Sequence, residues 1–563
     1  MPAIRRPPYA SRRRSRAAGA AELESLPERP LISVVMPAYE TAPRYVREAI
    51  ASVRRQRYPN WELCIVDDGS TRAASRRMIS RYAGRDRRVK AKLLPRNTGI
   101  ANATNEALAL ASGELVAFLD HDDALTEDAL LRMARTFSER EIDVAYSDQD
   151  KITPNGRRAD PFFKPDWSPV YALGAMYIGH LLVVRRELAE AVGGFDPAFD
   201  TIQDFEFALR VSEGAARIHH VPRILYHWRA IPGSIAAGAL EKEGVPELQA
   251  RAVTAHLRRR GISATAVPHP SIPHRARLRR DPRAPAPPVS VLVAVGDRDD
   301  GLDRCLDALL ERTAYPNLEV VLVELGGGGP SARHPLVRVI DAGGHASPAR
   351  AASLGAERAS GEHLVFLGDA TEVVEPDWIE QLLVYAELPG VGAVAPVLTR
   401  PDGRVDSAGM ALGLRDPVVP AMRGFEASSD GYYGSLSCAR EVSAISAECM
   451  LIRRRLFCEL GGFEPAYRSQ YEDFDLCQRL RRRGLVAVCV PGPRTISHRT
   501  EAARRAAFDV VDRALFVERW YDELTSGDPY FNPNFSAMAA DYTVDEGDGL
   551  PRPIVAGAGV GLR

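Results

Sequence analysis

Cysteine is scarce and unpatterned: seven in 563 residues, with no C-x-x-C pair. That excludes a disulfide framework and a zinc knuckle, and it fits a reducing cytoplasm. An excess of one charge is equally absent, since 73 Lys plus Arg face 74 Asp plus Glu. A protein that tracks a phosphate backbone needs surplus Lys and Arg on one face, so no nucleic-acid partner is expected. Long apolar runs are missing too. The longest, Tyr171 to Val184, is broken by His180 and falls short of the ~20 residues that span a bilayer. Arg5, Arg6, Arg12, Arg13, Arg14 and Arg16 crowd the start of the chain, but no apolar h-region follows them, so a secretory signal is not expected. Residues 1–30 read as a basic disordered tail. The alternative is peripheral contact with the inner face of the cytoplasmic membrane, where each Arg contributes ~1 kcal/mol against anionic lipid.

What is present is an internal duplication. Ile32-Ser-Val-Val-Met36 recurs as Val289-Ser-Val-Leu-Val293, and Tyr58-Pro-Asn-Trp-Glu62 as Tyr315-Pro-Asn-Leu-Glu319. Ser112-Gly-Glu114 returns as Ser360-Gly-Glu362, and Gly193-Gly-Phe-Asp-Pro-Ala-Phe199 as Gly461-Gly-Phe-Glu-Pro-Ala-Tyr467. Four collinear matches predict two copies of one domain, at 31–274 and 289–545. Between them, 275–288 reads as a Pro-rich linker, because Arg280 to Pro288 is too rich in proline for a helix or central strand. Residues 546–563 read as a C-terminal tail. Within a copy, apolar runs such as Ile32–Met36, Leu63–Val66 and Leu115–Leu119 alternate with helical patterns such as Tyr45–Arg55 and Ala101–Leu110. This predicts a mostly parallel α/β sheet with ligands at the carboxyl ends of its strands.

The polar residues cluster at those ends. Leu63–Val66 runs into Asp67-Asp68-Gly69-Ser70, where a carboxylate can accept from a base or ribose, although the same string is also an ordinary turn with a helix cap. Leu115–Leu119 runs into Asp120-His121-Asp122-Asp123. Strand alternation would put Asp120 and Asp122 on one side, where hard oxygens suit Mg²⁺ or Mn²⁺; the alternative is an acidic turn ahead of the next helix. Asp204, in Gln203-Asp204-Phe205-Glu206, opens a helix pattern and can act as a base or a cap, with Glu206 and Arg210 as braces. Leu225-Tyr-His-Trp-Arg229 supplies an imidazole for a metal and a guanidinium for a diphosphate, though a histidine beside Trp228 is more often structural.

Taken in order, Val35-Met-Pro-Ala-Tyr-Glu40, Asp67-Asp-Gly-Ser70, Asn97-x-Gly99 with Asn105, Gly113-Glu114 and Asp120-x-Asp122 resemble glycosyltransferase family 2. Tyr146-Ser-Asp-Gln-Asp-Lys151, Phe163-Lys-Pro-Asp-Trp-Ser-Pro169 and Leu225–Arg229 further resemble its tandem enzymes of O-antigen and surface-polysaccharide assembly. The resemblance implies two tandem GT-A domains, Rossmann-like nucleotide-diphospho-sugar transferases, acting by inversion. It implies a nucleotide-sugar site at Pro37, Ala38, Tyr39, Glu40, Asp67, Asp68, Asn97, Gly99, Asn105, Asp120, His121 and Arg229. The metal, Mg²⁺ or Mn²⁺, would be held by Asp120, Asp122 and His227, and Asp204 would be the base. The implied partners are a nucleotide-diphosphate sugar and a glycan acceptor, in one form lipid-linked.

The second copy departs from this pattern. Asp67-Asp68-Gly69 becomes Glu324-Leu325-Gly326, Asp120-His121-Asp122 becomes Gly368-Asp369-Ala370, and Asn105 becomes Ser353. The loop Gly326–Gly329 is permissive and lacks the Lys-Ser or Lys-Thr of a phosphate loop. Tyr471-Glu-Asp473 and Asp528-Pro-Tyr-Phe-Asn-Pro-Asn534 still resemble rhamnosyltransferase-like members, which keeps Asp473 as a candidate base. His498 matches a family histidine, although Arg499-Thr-Glu501 departs from the surrounding pattern, and Trp378 reads as core. Three readings stay open for this copy: a transferase with an altered metal site at Glu324, Asp369 and Glu372, a glycan-binding domain without turnover, or a structural partner. For the whole chain, a non-catalytic glycan or sugar-nucleotide scaffold is the alternative.

Overall fold

The computed structural model describes residues 22–231, 244–295, 300–325, 334–343, 347–500, 502 and 508–545. The Arg-rich segment 1–21, the Gly326–Gly329 loop, Glu501 and the tail 546–563 lie outside them. The chain divides into two compact units. The first comprises the residues up to Trp167 together with Met176–Arg260, and the second Ser168–Ala175 together with the residues from Gly261.

In the first unit the strands are β1 (Ile32–Ala38), β2 (Trp61–Asp67), β3 (Val89–Leu93), β4 (Leu115–Phe118), β5 (Ala124–Leu125), β6 (Val144–Ile152), β7 (Arg158–Phe162), β8 (Leu182–Arg185) and β9 (Ile218–Arg229). They form one sheet in the order β3-β2-β1-β4-β8-β6-β9-β5, with β7 on β6. β1, β2, β3 and β4 are parallel, as the buried runs predict; β8 enters antiparallel, so the sheet is mixed. All seven residues of both β1 and β2 are buried, as a sheet covered on both faces requires. The expected helices form at Pro43–Arg54 and Ile100–Ala109. Residues 22–30, expected as part of a disordered tail, belong partly to this unit. Leu26 is in its core with Leu23 packed against it, and Glu22 pairs with Arg132 and Arg135. Burying leucine side chains contributes about 1.5–3 kcal/mol each.

The second unit has strands β10 (Ala264–Pro268), β11 (Ala276–Arg280), β12 (Val289–Val295), β13 (Leu318–Glu324), β14 (Val337–Asp341), β15 (His363–Leu367), β16 (Thr371–Val373), β17 (Val391–Thr399), β18 (Val405–Ser407), β19 (Met410–Leu412), β20 (Val418–Pro420), β21 (Arg440–Val442), β22 (Cys449–Arg453) and β23 (Val486–Ser497). Its main sheet runs β14-β13-β12-β15-β22-β17-β23-β16, the same path as the first unit's, with β18 on β17 and β21 on β23. The second unit takes the chain from Gly261 onward, so 261–274, expected in the first copy, and the expected linker 275–288 belong to it, and the linker is partly ordered. β11 pairs antiparallel with β10, Leu278 N–H donates to Tyr385 Oη (3.2 Å), and Arg280 pairs with Glu387. Glu441 explains why Ser168–Ala175 belongs here: its carboxylate accepts from the N–H groups of Val170 (2.7 Å) and Tyr171 (3.2 Å).

The repeated sequence strings turn out to be frame. Tyr58 and Tyr315 donate to the carbonyls of Pro30 (2.7 Å) and Pro287 (2.6 Å). Asn60 and Asn317 hold the carbonyls of Arg29 and Ala286, both at 2.7 Å. Glu62 accepts from Ser33 Oγ and Ser112 N–H, and Glu319 accepts from Ser290 Oγ and Ser360 N–H in the same way.

Candidate active site

The carboxyl ends of β1 and β2 build one side of the site. Asp67 is buried; its Oδ1 accepts from Ser70 N–H (3.1 Å) and Arg76 Nη1 (2.9 Å), while its Oδ2 is buried with no hydrogen-bond partner. Such an acceptor is costly unless a ligand meets it. Asp68 is used differently. Its Oδ1 accepts from the N–H and hydroxyl of Thr98 (both 2.8 Å) and its Oδ2 from Gly99 N–H (3.0 Å), so it fixes the loop before the helix Ile100–Ala109. Asn97 Oδ1 supports the same N–H (3.2 Å). Gly99, at φ +95°, passes so near Asp200 that a Cβ would lie 2.4 Å from its Oδ2. Glu40 likewise holds the facing loop by accepting from Thr71 Oγ1 and pairing with Arg72. Asn105 exchanges two 2.8 Å bonds with the backbone of Phe195. Asp68, Asn97, Glu40 and Asn105, expected at the nucleotide, thus shape the loops around it through these hydrogen bonds. Pro37 and Ala38 end the buried β1, and Tyr39 is exposed beside them.

The acidic string after β4 is a turn, not a continuation of the strand. β4 ends at Phe118, and Asp123 N–H returns to the carbonyl of Asp120 (3.2 Å). The alternation argument for Asp120 with Asp122 therefore lapses. Among the described residues, the metal-capable group is Asp120, Asp123 and His180, whose ligand atoms lie within 4.8 Å of one another. Asp122 stands beside this group, and its carboxylate helps push both Asp120 and Asp123 upward, after the larger effect of burial. Asp123 Oδ2 accepts from Tyr226 Oη (2.6 Å) and its Oδ1 from Arg229 N–H (2.7 Å). His121 Nδ1 meets Thr41 Oγ1 (2.9 Å). Burial lowers the His180 imidazole to about 4. It is therefore neutral at pH 7, the form that binds metals.

Asp204 stands at the start of the helix Gln203–Gly214, where its Oδ1 accepts from Phe205 N–H (2.8 Å). Burial raises its pKa, His180 opposes the rise, and the Asp120 charge adds to it. Asp204, His180 and Asp120 thus share one field. A carboxylate with a raised pKa is a better proton acceptor than a free one. Glu206 and Arg210 form the expected brace: they pair at 2.6 Å, and Arg210 also holds the carbonyl of Gly194 (2.7 Å).

His227 is not a member of the metal-capable group. Its Nδ1 meets Asp150 Oδ1 (2.8 Å) and its Nε2 faces the Arg158 guanidinium, which leaves neither nitrogen for an ion. Arg229 is anchored by Glu48 (2.7 Å) and the carbonyl of Asp122 (2.6 Å), next to the acidic turn. Sequence reasoning missed Asp123 and His180. The signal for His180 was its interruption of the apolar run Tyr171–Val184; Asp123 gave none beyond its place in the acidic string.

In the second unit the corresponding positions are rebuilt. Gly368 N–H bonds the carbonyl of Glu448 (3.0 Å), and the β15–β22 register puts Glu448 where the first unit has His180. Glu448 accepts from Ser497 Oγ (2.7 Å) and lies 3.7 Å from Arg499. Glu372 is shared by His498 (2.9 Å) and Arg312 (2.7 Å). Glu324 ends β13. Among the described residues Glu324, Asp369 and Glu372 form no metal-capable group. Asp473 keeps the geometry of Asp204, with Phe474 N–H at 2.8 Å, but its other oxygen accepts from Ala447 N–H (2.8 Å). Trp378 is wholly buried, as core.

Residues 33–193 match the family model "Glycosyl transferase family 2", and residues 286–522 match "Glycosyltransferase like family 2". The O-antigen biosynthesis protein RfbC of Myxococcus xanthus is 34% identical over 94% of this chain and 42% of its own length. TuaG of Bacillus subtilis (strain 168), named for teichuronic acid biosynthesis, is 32% identical over 37% of this chain and 82% of its own. The solved structure of S. aureus TarS 1-349 in complex with UDP-GlcNAc aligns at 24% identity with a TM-score of 0.35, over 40% of this chain and 66% of that one. The chain spans 42% and 58% of the lengths of two curated relatives that match nearly all of it. With both sheets following one path and each unit matched by a model of family 2 or family-2-like transferases, the chain belongs to glycosyltransferase family 2 and carries two GT-A units in tandem.

Proposed function

We propose that the first unit is a metal-dependent inverting glycosyltransferase that moves a sugar from a nucleoside-diphosphate donor to a bacterial cell-surface glycan. The observation that carries this reading is the meeting of Asp120, Asp123 and His180 with Asp204 at the carboxyl edge of the sheet. Two carboxylates and a neutral imidazole form a donor set that fits Mg²⁺ or Mn²⁺. A cation held there would offset charge on the departing diphosphate. Asp67 Oδ2 supplies an unpaired acceptor for the base or ribose, and Arg229 stands beside the acidic turn for the phosphates. Asp204 accepts the proton of the acceptor hydroxyl as its oxygen bonds to the anomeric carbon and the bond to the diphosphate oxygen breaks, which inverts configuration. Asp68, Asn97, Gly99 and Glu40 hold the two loops around the donor.

The name of the RfbC relative supports O-antigen or a related surface polysaccharide as the product. A lipid-linked acceptor would bring the chain to the inner face of the membrane as a peripheral protein. Among the described residues no helix is long and apolar enough to cross a membrane. For the second unit the paired state of Glu372 and Glu448 favours acceptor binding or support over metal chemistry.

The test is nucleotide release over a panel of UDP-, GDP-, dTDP- and CDP-sugars with Mn²⁺ or Mg²⁺. Release that needs the metal and is lost in Asp120→Ala supports the reading. Metal-independent release, or release unchanged in Asp120→Ala and Asp204→Asn, overturns it. Glycan binding that survives Asp204→Asn, with no release from any donor, would favour the scaffold instead.

A further inference from the structure

Two sequence motifs have no place in the chemistry above: Tyr146-Ser-Asp-Gln-Asp-Lys151 and Phe163-Lys-Pro-Asp-Trp167. The fold brings them together behind His180. Lys164 is fully buried, and its ammonium donates to the carbonyls of Ser147 (2.6 Å), Ile178 (2.6 Å) and His180 (2.7 Å) and to Gln149 Oε1 (3.2 Å). Gln149 Oε1 also accepts from His180 N–H (3.0 Å), so the backbone of His180 is gripped on both sides. The next residue is held as well, since Leu181 N–H donates to Ser147 Oγ (3.3 Å). Gly179 lets the chain pass, because a Cβ there would lie 2.8 Å from Gln149 Oε1. Lys164 itself is anchored through its own N–H to Asp148 Oδ1 (2.9 Å), which His220 Nε2 meets at 2.8 Å.

A buried ammonium is expensive even when its hydrogens are paired, and an apolar residue of similar volume is often as stable or more so. Here two of its four acceptors, the carbonyls of Ile178 and His180, belong to the segment that carries the His180 side chain, and the other two, the Ser147 carbonyl and Gln149 Oε1, lie on β6 beside it. Beyond that backbone, the His180 ring stacks on Tyr226 (centroids 4.6 Å apart), whose hydroxyl bonds Asp123. We propose that Lys164 and Gln149 are positioning residues that clamp the His180 backbone and thereby aim its imidazole at the cation position shared with Asp120 and Asp123. This rests on the metal-dependent reading of the first unit. Groups that orient a metal-binding imidazole typically change metal affinity by about tenfold to a hundredfold.

The experiment uses the full chain, with Mn²⁺ binding followed by EPR titration and the imidazole ¹⁴N coupling to bound Mn²⁺ by electron spin-echo modulation. The parent should bind Mn²⁺ with a ¹⁴N coupling that His180→Ala removes. Lys164→Met should weaken binding by about tenfold or more and lose the coupling, while carboxylate-held Mn²⁺ persists at high concentration. Gln149→Leu, which leaves the lysine in place, should weaken binding by a smaller factor, and it decides the matter if Lys164→Met fails to fold by circular dichroism. A folded Lys164→Met or Gln149→Leu chain with parental affinity and coupling overturns the clamp alone. Mn²⁺ binding by the parent without ¹⁴N coupling also overturns it but leaves the cation site standing. No Mn²⁺ binding by the parent, with nucleotide release intact, overturns the metal-dependent reading and the clamp together.

Discussion

The two units share a sheet path and a set of braces, and they part at the carboxyl edge of that sheet. Ser33, Glu62 and Ser112 form the network that Ser290, Glu319 and Ser360 form again. Arg210 holds the Gly194 carbonyl as Arg479 holds that of Gly462. At the edge, Asp120, Asp123 and His180 become Gly368, Thr371 and Glu448, and the remaining acids acquire Arg312, His498 and Arg499 as internal partners. An acidic cluster whose members raise one another's pKa attracts a cation, whereas one neutralised by its own chain has no need of one. Duplication has preserved what holds the strands together, and divergence has acted on the acids at the carboxyl edge of the sheet.

The comparison breaks most decisively at the two candidate bases. Asp204→Asn should lower nucleotide release by ~10²–10⁴-fold, the range for a lost general base; Asp473→Asn should change it less than about twofold. Equal losses would make the second unit catalytic. The next effect is on the cation. Equilibrium Mn²⁺ titration should find one site per chain that Asp123→Asn weakens by about tenfold or more. Ala370→Asp should create no second site, because Glu372 and Glu448 stay paired.

Smaller effects should follow from the frame. Glu62→Gln disturbs a buried serine network and Glu319→Gln a partly exposed one, and each should destabilise its own unit by about 1–3 kcal/mol in denaturant unfolding, Glu319→Gln at the lower end. A silent Glu319→Gln would show that the second frame has relaxed. A pH-dependent effect concerns Glu472, the counterpart of Gln203. Burial, with the Asp473 charge beside it, pushes Glu472 from the usual 4.5 up to about 8, and its Oε2 is buried without a partner. The folded chain therefore holds a proton that the unfolded chain loses, and stability falls as pH rises from about 4.5 to about 8. Glu472→Gln should match the parent near pH 4.5 and melt higher near pH 8, by thermal scans at both. A parental melting temperature at pH 8 would show that Glu472 is ionised in the fold.

How much of this was legible in the sequence differs by level. The strands Ile32–Ala38 and Trp61–Asp67 and the helices Pro43–Arg54 and Ile100–Ala109 follow from local apolar pattern, and the duplication follows from repeated strings. Asp120 stands out because it follows a strand, and Asp204 because it opens a helix pattern. His180 lies sixty positions from Asp120, and only the β4–β8 pairing brings its Nε2 to 3.7 Å from that carboxylate. His227 misled because its motif names the residue but not its partners; Asp150 and Arg158 reach it through pairing of β6 with β9 and β7. The partners of Asp68 and Asn105 were likewise illegible, because their hydrogen bonds close loops that are distant in sequence.

The sequence by itself determined the family, the two-copy architecture and the loss of the second Asp-x-Asp string, because apolar periodicity and repeated strings are local properties of the chain. Only the tertiary structure decided which acids meet, that an imidazole from the antiparallel β8 side joins them, and that Lys164 and Gln149 grip its backbone. Those pairings depend on strand register and on a turn that redirects Asp123, and neither is encoded within any one segment.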